Sequence, residues 1–286
     1  MIEGDRRVPK ATAADFTWKE MMAVFFARDL ADNDRVCSGA HTEISFAATL
    51  LAQKTHAPNM RLQLGGTCFL VNVAGLPPDG LPTTSTDYRM LQWAEAAHDH
   101  PQTFEFFGPP GGHQNKDPGS PLRHTHRYYV GDKFFAGGIQ ADRHGNANLI
   151  GIGPRDALKV RGPGTVGICD IVTVREVYIF LTAHDPARLV ERVDYVSIAG
   201  PRTWREHNFL GGGPKWIVTP KAVFDFDAEG LARLKALFPG ATLEDVRRQT
   251  GFDLRTTGPV EEVPPPTAQE LQVLRQEVDP RGVLRR

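Results

Sequence analysis

Cysteine is scarce: Cys37, Cys68 and Cys169 are the only three in 286 residues, and no two form a Cys-x-x-Cys pair. An odd, scattered set speaks against a disulfide framework and makes a reduced, cytoplasmic setting the expectation. Long apolar runs are missing as well. None approaches the roughly 18–20 residues that span a bilayer, and the opening stretch MIEGDRRVPKATAADF has no apolar core of the kind a secretory leader carries. Neither charge is in excess, with 33 Lys and Arg against 34 Asp and Glu. That balance gives no electrostatic case for nucleic acid or an anionic membrane as a partner. Also absent are a Gly-x-Ser-x-Gly elbow, a Walker loop and a His-Glu-x-x-His pair.

What remains is an ordinary soluble composition, 41 % apolar and 23 % charged, in a chain long enough for one large domain or two small ones. The first 16 residues are polar and read as a frayed arm. Met21, Met22, Val24, Phe25, Phe26 and Leu30 recur with helical spacing from Trp18 onward. DRVCSGA (34–40) then reads as a short strand, ISFAATLLAQKTH (44–56) as a helix stopped by Ala-Pro-Asn, and MRLQLGG (60–66) as a buried strand ending at glycines. Helix, strand, helix, strand is the pattern of an α/β fold.

Residues 75–90 and 108–123 are rich in Gly, Pro, Ser and Thr and read as long loops. IVTVREVYIFLT (171–182) is β-branched and apolar and reads as strand, and WIVTPKAVFDFD (216–227) as a hairpin. TLEDVRRQTGF (242–252) reads as a short helix, with Thr242 as N-cap and Asp245 placed as in a capping box. VPPPT (263–267) is a stiff linker to a final amphipathic helix over 268–279, and no internal repeat is visible.

Four features invite a chemical reading. GPGTVG (162–167) fits Gly-x-Gly-x-x-Gly, but a dinucleotide site needs a helix after it, and the residues that follow are β-formers. It reads as a glycine-rich loop near a ligand. His124 and His126 share a strand face, with His113 nearby, yet no carboxylate or cysteine cluster supports them. They read as solvated or substrate-facing, and no metal is expected. Cys68 follows Leu-Gly-Gly-Thr at a strand end, where an activated thiol would be a nucleophile. With no activating base in sight it reads as a small buried residue. Glu43, in AHTEISF at a helix start, is either a carboxylate favoured by the helix dipole or a general acid/base at a strand end.

The stretch FFAGGIQADRHGNANLI (134–150) puts small and polar residues where core is expected. Within it, GGIQADRHGNANL resembles the GGxQxDxxGNxN signature of the β-type subunit of class I CoA-transferases, the glutaconate CoA-transferase type. GPGTVGICD, GGGPKWIVTPKAVFDFD (211–227) and LFPGATLEDVRRQTGFDL (237–254) resemble further segments of that subunit in the same order, with Phe238 where histidine is usual. HAPN (56–59) fits its turn before the second strand. The resemblance implies an open α/β sheet with helices on both faces, spanning about 17–262, with a long insertion near 75–130 and a C-terminal linker and helix over 263–286. It also implies a tight turn made by the Asp-x-x-Gly-Asn run, with the amides of Gln140, Asn146 and Asn148 either holding that turn or facing a cleft beside Gly138.

The family's transferases carry a glutamate on the strand after the Ala-Pro turn, which forms a glutamyl anhydride and then a glutamyl-CoA. Aligned on Ala57-Pro58, this chain has Gly65 there, in RLQLGGTC. Glycine cannot be a covalent nucleophile. The small glycine-bearing first loop of the transferases is likewise replaced by AHTEIS, with His41, Thr42 and Glu43. Two kinds of family member also lack the glutamate: a steroid-ring-cleaving CoA hydrolase and a glutaconyl-CoA-type decarboxylase. The expectation is therefore a non-transferase β subunit acting on a CoA thioester, with a paralogous α subunit as partner in a heterodimer or a tetramer of two pairs. No cofactor would be permanently bound. Glu43 or a partner residue would do acid/base work, and His41, Thr42, Gly65, Gly66, Thr67 and Cys68 would line the cleft. The alternatives are an active CoA-transferase and a non-catalytic structural subunit. Aromatic and histidine residues of the insertion (Tyr88, Trp93, Phe104, Phe106, Phe107, His113, His124, His126, Tyr128, Tyr129) suit either a ring-containing substrate or simple loop packing.

Overall fold

The computed structural model describes residues 16–38, 43–64, 69–71, 81, 94–97, 131–165, 168–209 and 211–286. Helix α1 (Trp18–Asp29) leads into strand β1 (Arg35–Ser38), helix α2 (Glu43–Thr55) and strand β2 (Arg61–Leu64). Strands β3 (Phe69–Val71), β4 (Ala94–Ala97) and β5 (Gly131–Gly137) follow. A run of short strands comes next: β6 (Gln140–Asp142), β7 (Ala147–Asn148), β8 (Gly151–Ile152) and β9 (Val160–Arg161). Then come β10 (Val174–Phe180), β11 (Leu189–Val190), helix α3 (Pro201–Glu206), β12 (Pro214–Val218), β13 (Ala222–Phe226) and β14 (Ala232–Leu237). The chain closes with α4 (Leu243–Arg248), β15 (Arg255–Glu262) and α5 (Ala268–Val273).

Ten strands form one sheet in the order β15-β14-β13-β12-β10-β5-β1-β2-β3-β4. Its centre, β12-β10-β5-β1-β2, is parallel throughout. From β1 the chain steps to β2 on one side and then returns to place β5, β10 and β12 on the other. The winding reverses between β1 and β5, and open α/β sheets bind ligands beyond the carboxyl ends of such a pair.

Both faces of the sheet are covered, so successive side chains of one strand enter different cores. Tyr178 and Phe180 join Phe26 of α1, Phe46 and Leu50 of α2 and Phe135 of β5. Val177 and Ile179 point the other way, onto Trp204 of α3, Val246 of α4 and Phe224. Phe26 packs edge-on to Phe135 with ring centroids 5.1 Å apart. Leu274, Val278 and Leu284 lie in the same core as α1 and α2, so the C-terminal segment packs onto the domain.

Three local expectations change. Ile171–Thr173, read as strand, belongs to a 3-10 helix, Ile168–Thr173, and the strand starts at Val174. Side chains three apart share a face of such a turn, and Ile168 and Ile171 both enter the second core. Helix α4 stops at Arg248 because Gly251 N–H leaves to bond the Leu189 carbonyl at 2.7 Å. Thr242 caps that helix by accepting from Asp245 N–H at 3.2 Å, but the reciprocal bond of a capping box is not made. The Asp245 carboxylate is taken instead by Lys221 and Arg248. The final helix becomes a π turn from Leu274 to Val278, ended by Asp279, whose carboxylate accepts from the Val283 and Leu284 N–H groups.

A true capping box closes α1: Thr17 accepts from Glu20 N–H, and Glu20 accepts from Thr17 N–H at 2.9 Å. Glu20 is 1 % exposed and ion-paired to Arg275, whose Nε and Nη2 donate to it at 2.8 and 3.0 Å. Burial raises the Glu20 pKa, but Arg275 and the Thr17 N–H outweigh it and hold the carboxyl below its ordinary value. A depressed carboxyl stabilises above its unfolded pKa and ceases to as pH falls through the folded one. Arg275→Ala should therefore cost about 2 kcal/mol in urea denaturation at neutral pH, and the deficit should shrink below about pH 4.

Candidate active site

Ser38, the last residue of β1, is the register partner of Leu64, the last residue of β2, and of Phe135 in β5. Strands β1 and β2 thus end at one level, about 5 Å apart. His41, Thr42, Gly65, Gly66, Thr67 and Cys68 lie outside the described residues, as do the loop aromatics and histidines of the 75–130 insertion. The described residues place the flanks. Ser38 Oγ and Ser45 Oγ are 2.6 Å apart and fully buried, tying the first turn of α2 to the end of β1. Glu43 opens α2, half-buried, with its Oε1 3.2 Å from Lys19 Nζ. It stands at the lip of the β1 loop, a position open to both the helix-terminal and the acid/base role.

Gly138 directly follows β5, and its N–H donates to the Phe180 carbonyl at 3.0 Å. Beyond it the chain folds back as β6 and β7, which pair with each other, while β6 also pairs with β11. The amides of this hairpin bond inward. Asn148 Nδ2 donates to Gln140 Oε1 and to the Gly151 carbonyl, both at 2.7 Å, while its Oδ1 accepts from Ile150 N–H at 2.9 Å. Gln140 Nε2 donates to Asp194 at 3.3 Å. Asn146 Oδ1 accepts from Gly200 N–H at 2.8 Å, and its Nδ2 donates to Asp142 at 3.0 Å. Asn146 thus holds the turn and also lines a cleft, while Gln140 and Asn148 tie the hairpin to Gly151 and Asp194.

Asp142, not singled out by sequence reasoning, is the centre of that turn. Its carboxylate is fully buried and accepts from His144 N–H, Asn146 N–H, Asn146 Nδ2 and Val193 N–H at 2.9–3.2 Å. The signal available was the Asp-x-x-Gly-Asn spacing, in which a short carboxylate caps its own following backbone. Gly145 completes the bend at φ +76°, where a Cβ would lie 2.5 Å from Phe226 and 2.8 Å from Pro201.

The GPGTVG loop is no dinucleotide site. It follows a two-residue strand of a separate ribbon and precedes a 3-10 helix, and a Cβ at Gly162 would collide with the Leu149 carbonyl. That glycine packs loop on loop. Cys37 is buried on β1, and burial pushes its thiol up to about 12. Among the described residues no group of His, Cys, Asp and Glu is arranged to hold a metal ion.

Sequence reasoning also missed His184, beyond the end of β10. It is buried, with Nδ1 2.8 Å from Thr219 Oγ1 and Nε2 3.2 Å from Thr250 Oγ1, and it pegs α4 to the β12–β13 turn. Burial lowers its pKa to about 4, against a weaker opposing effect of the Val246 carbonyl.

No family model matches the sequence. Over 281 residues, 94 % of this chain and 95 % of the relative, it is 28 % identical to the B-type subunit of glutaconate CoA-transferase from Acidaminococcus fermentans. It is 27 % identical over 277 residues to the cholesterol ring-cleaving hydrolase IpdB subunit of Mycobacterium tuberculosis, covering 93 % of this chain and 96 % of the relative. The crystal structure of the Acidaminococcus fermentans glutaconate coenzyme A-transferase matches the fold with a TM-score of 0.76 at 25 % identity, over 94 % of this chain and 97 % of that one. The decarboxylase AibA/AibB matches with a TM-score of 0.74 at 23 % identity, over 94 % and 97 % of the two chains, a likeness of fold.

Two changes test the wiring. Asp142→Ala strands four donors and should lower stability by about 3 kcal/mol or more in chemical denaturation. His184 is neutral when folded but protonates when unfolded below about pH 6.5. Stability should therefore fall by about 3 kcal/mol as pH drops from there toward 4, and His184→Gln should flatten that part of the curve.

Proposed function

Because this chain is a homologue of the β-type subunits of class I CoA-transferases and has their fold, we propose that it is the β subunit of a hetero-oligomer that cleaves a C–C bond of an acyl-CoA, by hydrolysis or decarboxylation, without a covalent enzyme–CoA intermediate. One observation carries this. The run RLQLGGTC, which straddles the end of β2, contains no Asp or Glu, and the family resemblance, aligned on Ala57-Pro58, puts Gly65 where the transferases carry their glutamate. Ala57 N–H bonds the Ala52 carbonyl at 2.8 Å and Met60 N–H bonds the Ala57 carbonyl at 3.1 Å, so β2 follows the Ala-Pro turn directly and ends at Leu64.

Without a carboxylate there is no anhydride and no glutamyl thioester. The remaining requirement is an acid/base group and an electron sink at the thioester or a ring ketone. Glu43 at the lip of the β1 loop, or a residue of a paralogous α subunit, fills the first role. Thr67 and neighbouring N–H groups fill the second by stabilising an oxyanion. A relative named as a cholesterol ring-cleaving hydrolase subunit supports the non-transferase reading. The thioester is substrate, no resident cofactor is required, and the setting is cytoplasmic. Among the described residues no helix is long and apolar enough to cross a membrane.

The position of Glu43 favours one other reading, a transferase that uses this carboxylate as nucleophile from the neighbouring strand end. Incubation of the complex with acyl-CoA panels and borohydride or hydroxylamine separates the two. Turnover with no trapped protein thioester is expected, and a trapped adduct mapped to Glu43 would establish the transferase. Glu43→Gln should lower turnover about 100-fold; unchanged turnover would remove Glu43 from the chemistry and leave the partner's residues to supply it.

A further inference from the structure

On the face of the sheet that carries α3, a cleft of about 750 Å³ opens between the 143–146 turn, the 192–196 segment, α3 and the 228–231 turn. Four arginines from three segments line it: Arg143, Arg192, Arg202 and Arg205. Two carboxylates share the wall, Glu206 and Glu229, and Glu206 is already engaged by Arg202 at 2.7 Å. Arg143 is held by Glu191 at 2.6 Å, and Arg205 donates to the Ala228 carbonyl at 2.9 Å. Arg192 has no hydrogen-bond or ion-pair partner among the described residues. A near-neutral chain thus gathers an excess of guanidinium groups in one concavity.

We propose that this cleft binds a phosphate-bearing small molecule. Guanidinium forks match phosphate oxygens in geometry as well as charge, and the volume is that of a small-molecule site. The wall is set before any ligand arrives. The Asp142-centred turn carries Arg143, the Arg143 carbonyl accepts from Ala232 N–H at 2.7 Å, and Asn146 holds Gly200 at the start of α3. The turn and helix backbones that carry Arg143, Arg202 and Arg205 are thus held in place. The cleft's lining among the described residues includes Asn146 of the hairpin after β5 and no residue of β1 or β2. The same phosphate chemistry comes from two sources, the 3′-phosphoadenosine diphosphate end of CoA or a free nucleotide or phosphate. Binding here does not depend on the reaction proposed above.

Calorimetric titration of the full-length chain, alone and with its partner subunit, with inorganic phosphate, ADP, CoA and dephospho-CoA tests it. Arg192→Glu should weaken binding of the phosphate ligands about tenfold or more while leaving the melting temperature unchanged, and Arg192→Gln should weaken it less. CoA binding tighter than both dephospho-CoA and ADP identifies CoA as the source; equal affinities identify a free phosphate ligand. Absence of binding by all four probes to the wild-type protein, or affinities within about twofold of wild type in both variants, would overturn the proposal.

Discussion

A parallel sheet covered on both faces leaves polar chemistry nowhere to go but the strand ends. In β10, Tyr178 and Phe180 are claimed by one core and Val177 and Ile179 by the other. No residue in the middle of such a strand can face a ligand without emptying a core. In open sheets of this kind ligands are met beyond the carboxyl ends of the strands, at a reversal of winding such as the one between β1 and β5. The pairing of Ser38 with Leu64 brings the ends of β1 and β2 to the same level.

The opposite edge is closed by charge. Asp29 at the end of α1 and Glu176 of β10 alternate with Lys133 of β5 and Lys215 of β12. Lys215 Nζ lies 2.7 Å from Asp29 and 3.0 Å from Glu176 and sits over the Trp216 ring, while the Tyr178 hydroxyl donates to Asp29. Burial raises the Glu176 pKa, but the two lysines outweigh it and hold the carboxyl low; burial lowers the Lys215 pKa, but Asp29 and Glu176 outweigh it and hold the ammonium high. This ring locks α1 across three strands. It lies at the amino edge of the sheet, where its charges contribute order.

The polar hairpin after β5 looks at first like the site itself. The structure makes it a strut: Gln140, Asn146 and Asn148 bond inward, and the buried Asp142 carboxylate is saturated by four N–H groups. Such a strut matters because it fixes the loop leaving β5 and the wall that carries Arg143. Short-range chemistry made the turn legible, since Asp, Gly and Asn bond within a few residues. The role of Asp142 as its hub was not, because Val193 reaches it from 51 positions away.

Local patterning determined α1, α2, the β12–β13 hairpin and the cap at Thr242, because periodicity, proline stops and capping chemistry act over a few residues. The order of short motifs pointed to the β-type subunits of class I CoA-transferases to which the chain is similar, and the absence of a carboxylate in RLQLGGTC set the chemistry to expect. Only the tertiary structure decided that Ile168–Thr173 winds as a 3-10 turn, that Asp245 serves Lys221 rather than its own helix, and that arginines from three segments converge on one cleft. Each of these depends on a contact between residues far apart in the chain, whose free energy overrides local preference and leaves no mark in the neighbouring residues.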